Sequence, residues 1–297
     1  MPAVRVRGLV KRYGDLAAVD GVDLTIEAGE VFALLGPNGA GKTTTVEILE
    51  GHRTPDGGEI EVLGHDPRTG GRAFRERIGI VLQHGSIEEV FSVREALTTY
   101  ASMYTRRIDP ERLIELVGLG QKADDRVKTL SGGQRRRLEL ALGLVGDPDL
   151  IFLDEPTTGF DPSARRQAWT VLDNLTKLGK TILLTTHYMD EAQHLADRIA
   201  VIDKGRIIAE GTPDTLGGRD EGKTKIRFTL PPETDLSNLP LETRSRNGGR
   251  FEVTCESPTR ALHDLTGWAL QAGLELQNLQ VERPSLEDVY LELTGDS

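Results

Sequence analysis

A single cysteine, Cys255, stands in 297 residues. One thiol excludes an internal disulfide and fits a reducing cytoplasm. Long apolar runs are also missing. No stretch reaches the roughly 18 residues that a bilayer-crossing helix requires, so the chain is not expected to span a membrane. The first residues, Met1 to Val6, contain no apolar h-region, and no secretory signal is expected. Internal repeats and low-complexity tracts are absent. Basic charge is in deficit: 36 Lys and Arg stand against 47 Asp and Glu, for a net charge of −11. That balance disfavours DNA or RNA as a partner, although a local basic patch could still form. What remains is a globular chain long enough for one large domain and a small one.

The densest signal present is Gly36-Pro37-Asn38-Gly39-Ala40-Gly41-Lys42-Thr43-Thr44. It follows the apolar run Val31 to Leu35 and opens a helical run to Leu49. Glycines let successive backbone N–H groups turn inward, and the helix start adds partial positive charge. Lys42 supplies a full charge for the β- and γ-phosphates, and the Thr43 hydroxyl can ligate Mg²⁺. The spacing G-x-x-x-x-G-K-[ST] is met at every position, which implies a bound nucleoside triphosphate.

Around this loop the pattern alternates between strands and helices. Val4, Val6, Val22, Leu24 and Ile26 repeat with period two, as in an antiparallel layer. Tyr13 is expected in a loop between these first strands. There it either stacks on a purine base or is an ordinary surface tyrosine. Apolar strands are expected at Val31–Leu35, 78–82, Leu150–Leu153 and Thr181–Thr186, of the kind covered on both faces. Each ends in polar residues: the glycine loop, Gln83, Asp154 with Glu155, and His187. Ligands of open parallel sheets sit beyond the carboxyl ends of the strands. If the four strands are neighbours, these groups face one nucleotide. Asp154 suits Mg²⁺ as a hard oxygen ligand, and Gln83 offers an amide oxygen to the metal or the water. Glu155 points elsewhere and is free to orient or deprotonate an attacking water. His187 can bond a γ-phosphate and that water together.

Ser131 is placed to cap the helix that follows, and Gly132 and Gly133 bare the backbone at its start. This is either a second anion site or a plain capped helix. Asp161 and Pro162 start another helix as cap and first-turn residue. Beyond a glycine- and proline-rich break at 212–222, the pattern restarts as a small α+β domain. Its strands are expected at 223–230, Arg250–Cys255 and 274–281, and its helices at 258–272 and 285–293, with Ser285 and Asp288 spaced as a capping box.

Taken together, these residues resemble the ATP-binding subunit of an ABC transporter. The Gly36–Thr44 stretch matches that family's Walker A motif. Leu130-Ser131-Gly132-Gly133-Gln134 matches its signature sequence, and Leu150 to Glu155 its Walker B motif with the catalytic glutamate. Gln83 matches the Q-loop, Tyr13 the adenine-stacking aromatic, Asp161 the D-loop aspartate and His187 the switch histidine. Phe160 replaces the commoner D-loop leucine. The resemblance implies an α/β fold. A P-loop NTPase domain at 1–215 would have a mixed sheet core, an antiparallel β layer and a helical subdomain at about 85–146. An accessory domain would follow at 223–297.

The resemblance further implies a head-to-tail dimer in which Ser131, Gly132, Gly133 and Gln134 of one copy close over ATP and Mg²⁺ held by the other. The tail from Arg283 to Gly295 is similar to that of subunits serving ABC-2 type exporters, the daunorubicin-resistance type in particular. A separate integral-membrane permease is thereby implied, met through the groove formed by His84 to Tyr104, at the cytoplasmic face of the membrane. No nucleic-acid partner is expected. The competing reading is a soluble ABC ATPase acting on ribosomes or nucleic acid. Such proteins usually carry two ATPase domains or long coiled-coil insertions, and neither is present. The tail domain is open to a regulatory, a dimer-supporting or a passive stabilising role.

Overall fold

In the computed structural model the described residues are 1–81, 87–177, 179–218, 224–231, 234, 236, 239–246, 249–282 and 285–294. The chain divides into two compact units, Met1–Pro213 and Asp214–Ser297.

The first unit begins with β1 (Pro2–Tyr13) and β2 (Leu16–Glu27), an antiparallel pair. Val22, Leu24 and Ile26 are buried while Asp23, Thr25 and Glu27 between them are exposed, which is the alternation of a half-covered sheet. β3 (Val31–Leu35) leaves this layer and is buried along its whole length. After α1 (Lys42–Leu49), β4 (Gly57–Val62) returns to pair with β1, giving the order β2-β1-β4. Next come α2 (Gly71–Arg75) and β5 (Ile78–Val81). The helices α3 (Val93–Ala101), α4 (Pro110–Leu116) and α5 (Gly132–Leu144) then pack on one another. β6 (Leu150–Asp154), α6 (Pro162–Lys177), β7 (Thr181–Thr186) and α7 (Met189–Leu195) follow, and the hairpin β8 (Arg198–Asp203) and β9 (Arg206–Gly211) closes the unit.

The central sheet runs β5-β6-β7-β3-β8-β9. All its neighbours pair in parallel except β8 with β9. One core fills the space between the two sheets, where Val6, Leu24 and Ile26 meet Phe32, Leu34, Phe152 and α1's Val46 and Leu49. Burial of this apolar surface is what holds the carboxyl ends of the parallel strands in place.

The second unit is a four-stranded antiparallel sheet in the order β11-β12-β10-β13, made by β10 (Thr224–Thr229), β11 (Arg244–Arg246), β12 (Arg250–Cys255) and β13 (Gln277–Glu282). α8 (Pro258–Gln271) supplies Ala261 and Leu265 to a core with Ile226, Phe228, Phe251 and Val253. α9 (Leu286–Thr294) starts with the capping box: Ser285 N–H donates to Asp288 Oδ2 at 2.9 Å, and Asp288 N–H to Ser285 Oγ at 3.0 Å.

Three expectations need correction. Tyr13 is not in a loop; it is the last residue of β1 and pairs with Leu16. Irregular register between Val6 and Leu9 and between Lys11 and Arg12 keeps β1 paired where the alternation breaks, which hid its length. β11 has no apolar alternation, since it reads Arg-Ser-Arg, and it forms by pairing with β12. β13 starts at Gln277, three residues late, and every one of its residues is exposed. Among the described residues no helix is long and apolar enough to cross a membrane.

Candidate functional site

β3 delivers the glycine loop to the edge of the sheet. A Cβ on Gly36 would lie 2.3 Å from the Ile202 carbonyl oxygen, and one on Gly41 would lie 2.3 Å from that of Ala18. Gly41 also has φ 107°, which L side chains rarely adopt. Only glycine fits either place. Gly41 is the N-cap of α1 and has no side chain with which to cap it. The first helical bond runs from Thr45 N–H to Gly41 O at 2.9 Å. The amides of Lys42, Thr43 and Thr44 therefore precede the first residue with an acceptor four positions back, and they point outward as an anion cradle. Pro37, Asn38 and Gly39 are exposed, Ala40 is buried, and the Thr43 side chain reaches solvent.

Lys42 is only 5% exposed. Its Nζ donates to the carbonyls of Gly36 at 2.8 Å and Pro37 at 3.2 Å, and it lies 3.7 Å from Glu155 Oε1. Burial holds its pKa below the ordinary lysine value, against the opposing charges of Glu155 and Asp154. A cation beside the amides at a helix start fits a polyphosphate.

The four strands with polar ends are contiguous, in the order β5-β6-β7-β3. Gln83, at the end of the first, lies outside the described residues. Asp154 ends β6 opposite Thr185 of β7. The Thr185 hydroxyl donates to Asp154 Oδ1 and accepts from Glu155 N–H at 3.1 Å, so one hydroxyl aligns both acids. Glu155 has φ 46°, a left-handed conformation that is rare outside glycine and is concentrated at functional sites. The turn swings its carboxylate off the strand direction of Asp154. Its Oε1 lies 3.2 Å from His187 Nδ1, and its Oε2 accepts from Thr158 Oγ1 at 3.0 Å. Lys42, Asp154, Glu155 and His187 thus converge from three strand ends.

Tyr13 is 42% exposed, with Lys11 Nζ 5.6 Å and the Arg53 guanidinium 5.4 Å from its ring centre. An exposed ring bordered by cations suits a purine beside phosphates.

Ser131 caps α5. Its Oγ accepts from Gln134 N–H at 3.3 Å, and Gln134 Oε1 accepts from Ser131 N–H at 2.9 Å. Gly132 and Gly133 are the first helical residues. Arg136, one turn on, donates to Pro156 O at 3.1 Å and so ties this helix to the turn after Glu155. A cleft of about 730 Å³ opens between the two, lined by Ser131, Gly132, Gly133, Glu155 and Asp161 among others, and by no residue from Gly36 to Thr44. Asp161 accepts from the amides of Ser163 at 2.8 Å and Ala164 at 2.9 Å, capping α6. Glu155 thus lines the cleft at the serine start and also lies 3.7 Å from Lys42 of the glycine loop.

Sequence reasoning missed Thr185, Thr158 and Thr157. Threonine after a strand carries no local signal, and their partners are set by the fold. Among the described residues no group of three or more His, Cys, Asp and Glu side chains is gathered to hold a metal on protein ligands alone. Mg²⁺ in phosphate sites takes one or two carboxylates plus phosphate oxygens, and the Asp154 carboxylate and the Thr43 hydroxyl are donors of the hard-oxygen kind such a site would use.

Comparison with known proteins gives this geometry a family. Residues 19–158 match the model of the ABC transporter family, and residues 224–285 match that of the ABC transporter domain-containing protein-like C-terminal domain. The chain is 40% identical to the daunorubicin resistance ATP-binding protein DrrA3 of Streptomyces coeruleorubidus, over 99% of this chain and 96% of that one. It is 43% identical to the Nod factor export ATP-binding protein I of Rhizobium sp. (strain N33), over 99% and 97%. Among solved structures, cbiO1 from Clostridium perfringens, part of the ABC transporter complex cbiONQ, superposes with a TM-score of 0.65 at 30% identity, covering 72% of this chain and 89% of that one. The ADP conformation of MJ1267, an ATP-binding cassette of an ABC transporter, gives 0.64 at 25% identity, with 71% and 91% covered. The chain belongs to the ATP-binding proteins of the ABC transporter family, and it is an ATPase.

Proposed function

We propose that this ATPase energises a separate membrane permease that exports a drug, an antibiotic or another hydrophobic compound. The names of the full-length relatives, daunorubicin resistance and Nod factor export, support export. The observation that carries the mechanism is the 3.2 Å approach of His187 to a Glu155 carboxylate that also lies beside Lys42.

The roles follow from the chemistry. The glycine loop and Lys42 hold the β- and γ-phosphates, and Tyr13 stacks on adenine. Thr43, Asp154 and Gln83 would hold Mg²⁺, whose charge offsets that of the phosphate oxygens. Glu155 takes the proton of the attacking water, and His187 orients that water against the γ-phosphate. Ser131 and its glycines meet the γ-phosphate of ATP bound to a second copy, with Asp161 at the shared boundary. Loss of the γ-phosphate then opens the dimer, a population shift that drives the permease.

The permease docks at a groove of about 380 Å³ whose apolar lining includes Ile80, Val81, Ile87, Tyr100, Tyr104 and Leu142. The chain is accordingly peripheral, at the cytoplasmic face of the membrane. The tail unit either supports the dimer or regulates it.

Changing Glu155 to Gln tests the reading. The variant is expected to bind ATP like the wild type and to lose at least about 100-fold in turnover, the usual worth of a general base. Phosphate release at the wild-type rate would assign the base to another group.

A further inference from the structure

Glu191 is the most completely buried carboxyl group of the first unit, with 0% of its surface exposed, and nothing in the roles above uses it. It lies on α7, four residues after His187. Its Oε1 accepts from Thr157 Oγ1 at 2.8 Å and from Trp169 Nε1 of α6 at 3.3 Å, and the Thr186 hydroxyl also bonds the carboxyl. Thr157 is itself fully buried and immediately precedes Thr158, whose hydroxyl holds Glu155 Oε2. The contacts therefore close a ring. Glu155 is held by Thr158. The adjoining Thr157 is held by Glu191, and Glu191 is joined through α7 and Tyr188 to His187, which faces Glu155 again at 3.2 Å. Arg165 of α6 braces the same junction, pairing with Asp190 at 3.0 Å and stacking over Tyr188 at 4.3 Å.

A carboxyl this deep in the protein is costly to keep. The cost is offset in part by the donors it accepts from, Thr157 of the turn and Trp169 of α6 among them. The group joins two segments about thirty residues apart in sequence, each carrying one of the two groups that face the water. We infer that Glu191 is a positioning residue for hydrolysis, fixing the turn that carries Glu155 against the helix that follows His187. It touches neither nucleotide nor water. The inference rests on the roles proposed above for Glu155 and His187.

A mutant series tests it. Thr157→Val keeps the shape of the buried side chain and removes only the hydroxyl. It is expected to lower kcat about tenfold, the worth of one buried hydrogen bond with its acceptor left unmet, and to leave KM for ATP unchanged. Glu191→Ala is expected to do the same or more. Glu191→Gln keeps an acceptor oxygen for Thr157 and Trp169 and should restore kcat to within about threefold. The Thr157→Val, Glu191→Ala double variant should be little slower than the slower single variant, because both act through one link. Wild-type kcat in Thr157→Val, or full additivity in the double variant, overturns the assignment. So does a loss in Thr157→Val that falls on KM rather than kcat. Because Thr157→Val changes volume little, it decides the matter even if Glu191→Ala does not fold. Glu155→Gln separates the two levels. If that variant hydrolyses at the wild-type rate, the base assignment falls. If it is inactive while Thr157→Val is fast, only the role of Glu191 falls.

Discussion

Glu50 and Glu191 in the first unit and Asp288 in the second are carboxyl groups drawn away from water, and their pKa values move in opposite directions. Glu50 is 5% exposed, and burial, reinforced by the nearby charges of Asp154 and Glu47, pushes it up to about 8. Burial also raises Glu191, against the hydrogen bonds it accepts. Burial acts the same way on Asp288, but Lys225 Nζ at 2.9 Å and the amide and hydroxyl of Ser285 outweigh it, and the group is held down to about 2. In the first unit the two raised carboxyls are buried, Glu50 near the charge of Asp154 and Glu191 against Thr157. The second uses its carboxylate to cap a helix and pin it to β10.

The largest test of this contrast is Lys42→Ala, which should abolish ATP binding at micromolar concentration in a titration followed by calorimetry. Wild-type binding would overturn the phosphate-cradle reading. Next is Glu50→Gln. A carboxyl whose pKa is raised by folding weakens the fold as pH climbs from about 4.3 toward the folded value. The variant should therefore melt close to the wild-type temperature below about pH 4 and above it near pH 8. A variant less stable than wild type at pH 8 would mean that the carboxylate gains more from His52 Nδ1, 3.2 Å from its Oε2, than burial costs it. The smallest effect is Asp288→Asn. A depressed pKa adds stability that is fully present above about pH 4 and is lost as pH falls toward about 2. The variant should lose roughly 1–2 kcal/mol at pH 7, less whatever solvent screening removes, and only a small part of that at pH 2. A denaturant titration of the full chain measures it, and an equal loss at both pH values would remove the charge from the explanation.

Much of this was legible in the sequence because the determining residues are neighbours along the chain. The glycine loop, the caps Ser131, Asp161 and Ser285, and the short apolar strands are all local patterns. The strands carrying the polar ends were readable too, and the sheet order β5-β6-β7-β3 puts them side by side, Gln83 lying outside the described residues. What could not be read depends on distant pairing. Thr185 reaches Asp154 across two strands, and Glu191 reaches Thr157 between two segments. Neither threonine differs locally from any other. β1 was longer than its alternation because bulges let pairing continue through a break in pattern, and β11 exists only through its neighbour.

The central claim is that ATP is held between the glycine loop of one copy and Ser131 of another. Sedimentation of Glu155→Gln, with and without Ser131→Arg, in saturating MgATP tests it most directly. Glu155→Gln alone should move from the 32.5 kDa monomer to a dimer. Adding Ser131→Arg should return it to a monomer that still binds ATP. A Glu155→Gln protein that stays monomeric with ATP bound, or a dimer indifferent to Ser131→Arg, would contradict the account.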